Sequence, residues 1–271
     1  MKDITTKIDL YLYQERGFVI SEAAFGSTEV EELRRDAIRI CRGEYAHKAL
    51  PPESADTTDE DALKRYLCVH QPHLLSPVVH SFLGRSEIVR ILTQLIGPNV
   101  KCMQSMLFMK PPGFQGQAWH QDEFYIPTRD RSLVGAWIAL DDATRENGCL
   151  WVIPGSHTNG YLYPQKEHGR PEEFDASNEA YGFSDEGEIP VECSVGSVVF
   201  FHGYLLHRSR KNQSDSYRRV LVNHYMNSYS LLPWHATTEE GVPAAQADYR
   251  GVVSVAGEDP YAWKGTEKTQ Q

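Results

Sequence analysis

The sequence predicts a mainly β protein with flanking α-helices. From Val100 onward, the 271-residue chain is a series of short apolar runs rich in Val, Phe, Tyr and Trp, separated by Gly, Pro, Asn and Asp. Many short strands with turn residues between them are typical of a sandwich, jelly roll or barrel, and not of alternating β and α units. The part before Val100 shows helical periodicity instead, so helices come first and strands second.

Residues 4–47 are predicted to be helical with one interruption. Gly17 follows a first helix, and residues 18–20 fit a short strand. Ser27 is placed to cap a second helix, because an apolar stripe begins directly after it. The stripe has 3-4-3 spacing and consists of Val30, Leu33, Ala37 and Ile40.

Further along the chain, residues 86–96 fit a third helix, with Ser86 at its cap and Gly97 and Pro98 as its stop. Two polar segments without periodicity, 48–62 and 164–188, are predicted to be loops able to cover a site or set its specificity.

The predicted strands account for most of the remaining chain. They are residues 100–109, 117–126, 134–140, 149–153, 190–193, 197–202 and 219–227, with 252–255 as a possible addition. No linker composition separates two folded units, so we expect one domain over residues 1–271. In it, 1–99 are mostly helical support, 100–228 form the β core and 229–271 are a C-terminal extension.

Bulk composition excludes several classes of function. A formal net charge of −10 would repel a polyanion, which argues against a nucleic-acid partner and favours a small-molecule substrate. The N-terminus has no apolar signal segment, and no apolar stretch is long enough to span a membrane. Five scattered cysteines without a paired motif indicate reduced thiols, so we expect a cytoplasmic protein. The oligomeric state is not determined by the sequence.

A candidate metal site begins with His120 and Asp122, which come after an apolar run and a Pro-Pro-Gly turn. If this segment is extended, side chains two residues apart share a face, so the imidazole and the carboxylate aim at one point. Two histidines and one carboxylate, with open positions opposite, form the ligand set of non-haem Fe(II) oxygenases. The best third ligand is His207, at the end of a strand-like stretch.

His202 and His224 compete for that third position, because both also lie on apparent strands. His207 is favoured by its position relative to an arginine: after a polar turn, Arg218 comes eleven residues later, at the start of another strand. A hairpin of that length can bring the guanidinium back beside the metal, where its planar fork would hold a carboxylate. Arg219 is the alternative, and one of the two arginines is expected to be a solvated residue at a strand start.

Two aromatic residues, Phe124 and Tyr125, come directly after the metal pair. Both are candidates to face a substrate, and both fit the alternative of core aromatics beside a strand.

Taken together, several stretches of residues 100–228 resemble the phytanoyl-CoA dioxygenase family of Fe(II)- and 2-oxoglutarate-dependent oxygenases. They are Gln104 to Gly113, Trp119 to Asp122, Gly148 to His157, and His207 and Ser209 through Arg218. The pattern of Gly17, Phe18 and Val19 followed by a helix is also similar to the family.

The resemblance implies a double-stranded β-helix, the cupin-like jelly-roll barrel. It implies iron ligation by His120, Asp122 and His207, and 2-oxoglutarate binding by Arg218 with help from Ser209. Three further residues fall where the family lines the cosubstrate pocket: Gln104, Lys110 and Trp137. His157 matches a family feature as well, with a structural role in a turn.

The implied reaction consumes dioxygen and 2-oxoglutarate, releases succinate and CO₂, and hydroxylates an unactivated C–H bond of a small metabolite. A carboxylate at Asp122 favours hydroxylation, because related halogenases have a small residue there that leaves room for chloride. The charge of −10 gives no support for binding a CoA phosphate tail. Two alternatives stay open: a non-redox metal-dependent barrel enzyme, such as an isomerase or hydrolase, and a non-catalytic small-molecule-binding barrel.

Overall fold

The computed structural model of the chain describes residues 9–47, 49–230, 252–264 and 267–268. Its helices are α1 (Leu10–Arg16), α2 (Ser27–Cys41), α3 (Asp59–Lys64), α4 (Pro77–Leu83), α5 (Ser86–Ile96) and α6 (Asp122–Tyr125). Short 3₁₀ turns lie at Pro72–Leu74 and Ala262–Lys264.

The strands are β1 (Phe18–Ser21), β2 (Cys68–His70), β3 (Val100–Lys110), β4 (Gln117–His120), β5 (Val134–Ala139), β6 (Leu150–Val152), β7 (Gln165–Lys166), β8 (Glu179–Ala180), β9 (Ile189–Val191), β10 (Val198–His202), β11 (His207–Ser209), β12 (Arg218–Asn227), β13 (Val253–Ala256) and β14 (Glu267–Lys268). The larger sheet has the order β1-β10-β5-β12-β3-β13-β14, with β2 also paired to β3. A second sheet has the order β4-β11-β6-β9, and β7 and β8 form a hairpin.

The two sheets pack against each other through an apolar cluster to which both contribute. The larger sheet supplies Trp137, Phe201 and Val222, and the smaller sheet supplies Leu150 and Val152. A second and larger cluster joins the outer face of the larger sheet to the helices. Mainly antiparallel sheets with helices on one face confirm the predicted jelly-roll class, although the ladders of the described strands do not close into a continuous barrel.

The predicted strands and helices agree well with the structure, with differences at their ends. Ser27 and Ser86 are the first helical residues and not caps, because Gly26 and Arg85 occupy the cap positions. The Gly26 N–H instead donates to the Glu29 carboxylate at 3.0 Å. Helix α4 was not predicted, since seven residues are too few to show a helical period; Ser76 caps it by accepting from the Val79 N–H.

Two predicted loops contain regular structure, and one of them, 164–188, includes the paired strands β7 and β8. The segment 48–62 ends in helix α3, which begins at Asp59. The predicted run 252–255 corresponds to β13, which pairs with β3 and so extends the larger sheet. The N-terminal part contributes strands β1 and β2 as well as helices. The predictions for residues 4–8 and for most of the tail lie outside the described residues.

Within the part of the chain that the structure describes, no helix combines the length and the apolar character needed to cross a bilayer.

His202, at the end of β10, is expected to make folding sensitive to acid. Its ring lies beside those of Tyr13, His157 and Tyr204, and its Nδ1 accepts the Tyr204 N–H at 3.0 Å. Burial, with help from His157 and the Arg131 cation, lowers the pKa of His202 from 6.5 to about 4. The unfolded chain therefore takes up a proton in a pH range where the folded chain does not.

The resulting stabilisation is fully present above the unfolded pKa of 6.5 and is lost as the pH falls towards 4, a span worth about 3 kcal/mol. In His202→Phe, we expect the loss of unfolding free energy between pH 7 and pH 4 to be about 3 kcal/mol smaller than in the unmodified protein. Urea unfolding at a series of pH values measures this. Equal pH slopes for the two proteins would contradict it.

Candidate metal centre

Strand β4 ends at His120, and helix α6 begins at Asp122. The predicted strand 117–126 therefore stops earlier than expected. Gln121 between them is still extended, with φ −128° and ψ 127°, so the two side chains keep the shared face that the spacing predicted. His207 on β11 lies directly opposite His120 in the antiparallel pairing of β4 and β11. All three side chains are buried.

The three side chains converge on one point. His120 Nε2 and His207 Nε2 each lie 3.5 Å from Asp122 Oδ1, and the three candidate ligand atoms are all within 4.8 Å of one another. Each histidine uses its Nδ1–H to donate to the carbonyl two residues earlier, Ala118 at 2.8 Å and Leu205 at 2.9 Å. These bonds fix the tautomer that leaves both Nε2 lone pairs free for a metal. The donor set therefore fits a divalent transition metal.

The charge state of the cluster also suits a cation. Burial, reinforced by the neighbouring His207, lowers the pKa of His120 to about 3, so this imidazole is neutral. Burial alone would raise the pKa of Asp122, but His207 and His224 outweigh it and hold that pKa well below its usual range. For His207, burial lowers the pKa and the Asp122 carboxylate raises it, with a net increase.

Arg218 and Lys110 place two basic side chains beside the metal centre, and they are direct partners across β12 and β3. Burial, together with the Arg218 cation, holds the pKa of Lys110 well below its usual range. Both are buried and line the same cavity as the three candidate ligands. Burial lowers the pKa of Arg218 to about 10, which leaves it charged at neutral pH. Its guanidinium lies 5.5 Å from the centre of the Trp137 ring, and no carboxylate among the described residues forms an ion pair with it. A buried cation without a counterion is suited to an anionic ligand.

Ser209 completes this cationic end of the cavity. Its Oγ accepts hydrogen bonds from Lys110 Nζ at 2.9 Å and from the Gln117 N–H at 3.2 Å. Because both bonds use oxygen lone pairs, the hydroxyl proton is free to donate to a ligand. The second bond of Lys110 Nζ goes to the Arg210 carbonyl at 2.8 Å.

The cavity that holds these groups has a volume of about 390 Å³. Gln104 and Trp137 line it, as does Tyr125, whose hydroxyl donates to Gln165 Oε1 at 2.9 Å. Phe124 does not line the cavity, so the structure separates the two predicted substrate aromatics. The predicted loop 164–188 contributes residues 175–178 to the wall, whereas no described residue of 48–62 reaches it.

The competing histidines have different positions. His157 has no role at the metal site: its Nε2 donates to the Gln14 carbonyl at 3.0 Å and ties a turn to the end of α1. His202 lies away from the cavity. His224 lines the cavity and bonds Asp122 Oδ2 at 2.9 Å, a contact that the sequence reasoning missed. The sequence contained a signal for this position. His224 and Arg218 are separated by an even number of positions on β12, and such residues point to the same face of a strand.

Comparison with known proteins agrees with this geometry. The profile of the phytanoyl-CoA dioxygenase (PhyH) family matches residues 13–220, a span that includes both candidate histidine ligands, Asp122 and Arg218. The chain belongs to the phytanoyl-CoA dioxygenase family. The resemblance found in the sequence is thereby confirmed.

Among family relatives, the rice phytanoyl-CoA dioxygenase 1 is 34% identical over 160 residues, which cover 59% of this chain. That match spans only 56% of the rice protein's length. The zebrafish phytanoyl-CoA dioxygenase domain-containing protein 1 is 27% identical over 291 residues, covering 88% of this chain and 97% of that protein.

Solved structures share the fold. The non-haem monooxygenase ThoJ, in its apo form, superposes with a TM-score of 0.71 at 21% identity, covering 96% of this chain and 87% of its own. The epimerase SnoN, solved with Fe³⁺, α-ketoglutarate and nogalamycin RO, has a TM-score of 0.63 at 21% identity, with 82% and 83% coverage. These likenesses show that the chain has the same jelly-roll fold.

Proposed function

We propose that this protein is an Fe(II)- and 2-oxoglutarate-dependent oxygenase that hydroxylates a C–H bond of a small molecule. The observation that carries the proposal is the pairing of two features in one cavity. A buried His-Asp-His cluster has its three ligand atoms within 4.8 Å of one another. Buried Arg218 and Lys110 line the same space without a carboxylate partner among the described residues. A dicarboxylic acid that binds the metal at one end and Arg218 at the other would use both features.

In this proposal His120, Asp122 and His207 hold the iron. Arg218 binds the distal carboxylate of 2-oxoglutarate through its planar fork, and Ser209 donates its free hydroxyl proton to the same group. Lys110 keeps Ser209 in place, and Trp137 forms the wall beside the guanidinium. Bound iron, 2-oxoglutarate and dioxygen together would supply the oxidation of an unactivated C–H bond, with succinate and CO₂ as the second products. Gln104 is proposed to complete the cosubstrate pocket.

The cavity favours a small substrate without a phosphate tail. A volume of about 390 Å³ must hold both the cosubstrate and the reacting part of the substrate. The segment 164–188, which supplies Asp175 and Asn178 to the wall, carries eight carboxylates against two Lys or Arg side chains. That excess of negative charge would repel a polyphosphate. Tyr125 is proposed to contact the substrate, since it is the aromatic residue after Asp122 that reaches the cavity.

The two alternative functions do not explain why Arg218 is buried in the cavity without a counterion in the described part of the chain. A non-redox barrel enzyme with His and carboxylate ligands does not need an unpaired buried arginine beside its metal, and a non-catalytic binder needs neither the ligand cluster nor the arginine. The cofactors alone do not determine which product forms from the substrate, because the structural relatives include the epimerase SnoN. Product analysis distinguishes these outcomes.

The function is tested by adding Fe(II) and 2-oxoglutarate to the protein without oxygen, and then screening metabolites for succinate release in air. We expect a weak visible charge-transfer band in the first experiment, and in the second a metabolite that stimulates succinate release and gains one oxygen atom. A protein that forms no such band and releases no succinate would exclude the proposal. An isomerised or cyclised product would keep the cofactors and replace the hydroxylation.

A further inference from the structure

His224 is the fourth polar side chain at the metal centre, and the family ligand set does not include it. It lies on β12, which pairs with β3 on one side and with β5 on the other. There it sits opposite Gln104 and Gly135. The ring is buried, and its Nε2 lies 2.9 Å from Asp122 Oδ2. Since a carboxylate oxygen only accepts, Nε2 must carry the proton in this bond.

The two oxygens of Asp122 therefore have different neighbours. Oδ1 faces the two candidate ligand histidines at 3.5 Å each, and Oδ2 faces His224. Apart from His224, no described group donates a hydrogen bond to this carboxylate in the tautomers assigned above.

We propose that His224 is a positioning residue that restricts Asp122 to one metal-bound oxygen. The inference rests on the proposed function, because it concerns how many positions on the iron stay open. A carboxylate that binds through both oxygens occupies one more position than a carboxylate that binds through one. With single-oxygen binding, His120, Asp122 and His207 would supply three ligand atoms and leave the other positions on the metal to a chelating 2-oxo acid and dioxygen.

His224 suits this task because its neighbours hold it firmly. It is buried on strand β12, which is paired with β3 on one side and β5 on the other, so its backbone is held in place. Its Nδ1 is buried and has no hydrogen-bond partner among the described residues, so the contact with Asp122 is its one polar interaction there. Partners of metal ligands that act in this way typically change metal-site properties by about 10- to 100-fold when removed.

The test uses three variants and two binding measurements that need no turnover. His224→Phe keeps a ring but cannot donate, and His224→Gln keeps an N–H donor. His202→Phe makes the same change at a partly buried strand histidine away from the cavity and serves as the matched control. Calorimetry first measures Mn(II) binding to the apoprotein, and then 2-oxoglutarate binding to protein saturated with Mn(II).

At saturating Mn(II), we expect the Kd for 2-oxoglutarate to rise at least about tenfold in His224→Phe, because the freed Asp122 oxygen competes for a position that the 2-oxo acid needs. His224→Gln and the His202 control should stay within about threefold of the unmodified protein. Saturation with metal removes the trivial effect of weaker metal binding. Should the phenylalanine variant not fold, His224→Leu tests the same point.

Unchanged 2-oxoglutarate binding in His224→Phe would overturn the inference. Equal damage in the Phe and Gln variants would also overturn it, because it would indicate a packing role in place of the hydrogen bond. If the unmodified protein bound neither Mn(II) nor 2-oxoglutarate, the proposed function itself would fail, which is a distinct result.

Discussion

Replacing His120 or Asp122 with alanine is expected to abolish oxygen-dependent succinate formation while the protein stays folded. Each substitution removes one of three buried ligand atoms that meet at a single point. The remaining two ligands cannot hold iron against water and buffer. The loss of turnover should therefore exceed the roughly 100-fold loss that is typical when a residue that hydrogen-bonds a metal ligand is removed. Succinate release and Mn(II) calorimetry measure turnover and metal binding separately.

His157→Ala is the matched control for His120→Ala. His157 bonds the Gln14 carbonyl outside the cavity, and His120 bonds the Ala118 carbonyl inside it, so each variant loses one hydrogen bond of the same kind. We expect the His157 variant to be less stable but to bind Mn(II) and turn over normally. Turnover that persists in both ligand variants, or that disappears equally in the control, would contradict the assignment of the metal centre.

The sequence could identify this site because two of its residues lie two positions apart. Side chains at that spacing share a face in any extended segment, and Gln121 between them is extended. The third residue is harder, since His207 lies far along the chain and reaches His120 only through the pairing of β4 and β11. Such pairing is decided by the whole fold, so the choice of His207 depended on the position of Arg218 after it.

The contact between His224 and Asp122 could not be predicted from the sequence. A single histidine on an apolar strand has the same local pattern whether it packs in a core or supports a ligand. His202, on β10, fits the first description, and His224 fits the second. The periodicity of a strand predicts which face of the sheet a side chain points to. Its role depends on which residues it contacts there, and these come from other parts of the chain. Helix α4 was missed for a related reason: it is too short to reveal a period.

Arg218→Met is expected to weaken 2-oxoglutarate binding at least about 100-fold, because a charge-assisted pair of parallel hydrogen bonds is lost from a buried site. The metal should still bind, since Arg218 is not one of the three converging side chains. Arg218→Lys keeps the charge and loses the fork, so we expect an intermediate effect. The Kd for 2-oxoglutarate on Mn(II)-loaded protein measures both.

Arg219→Met is the matched control for Arg218→Met. Arg219 is the next residue on β12, points to the other face, and already pairs with Asp141 through Nε at 2.8 Å and a terminal nitrogen at 2.7 Å. Its loss should lower the free energy of unfolding and leave 2-oxoglutarate binding unchanged.

A second measurement isolates the distal carboxylate of the cosubstrate. 2-Oxopentanoate keeps the chelating 2-oxo acid but lacks that carboxylate, so the unmodified protein should bind it much more weakly than 2-oxoglutarate. In Arg218→Met, the affinities for the two ligands should lie much closer together, because the distal carboxylate has lost its charged partner and keeps only the Ser209 hydroxyl. If the preference for 2-oxoglutarate survived in Arg218→Met and disappeared in Arg219→Met, the anion site would belong to Arg219 instead.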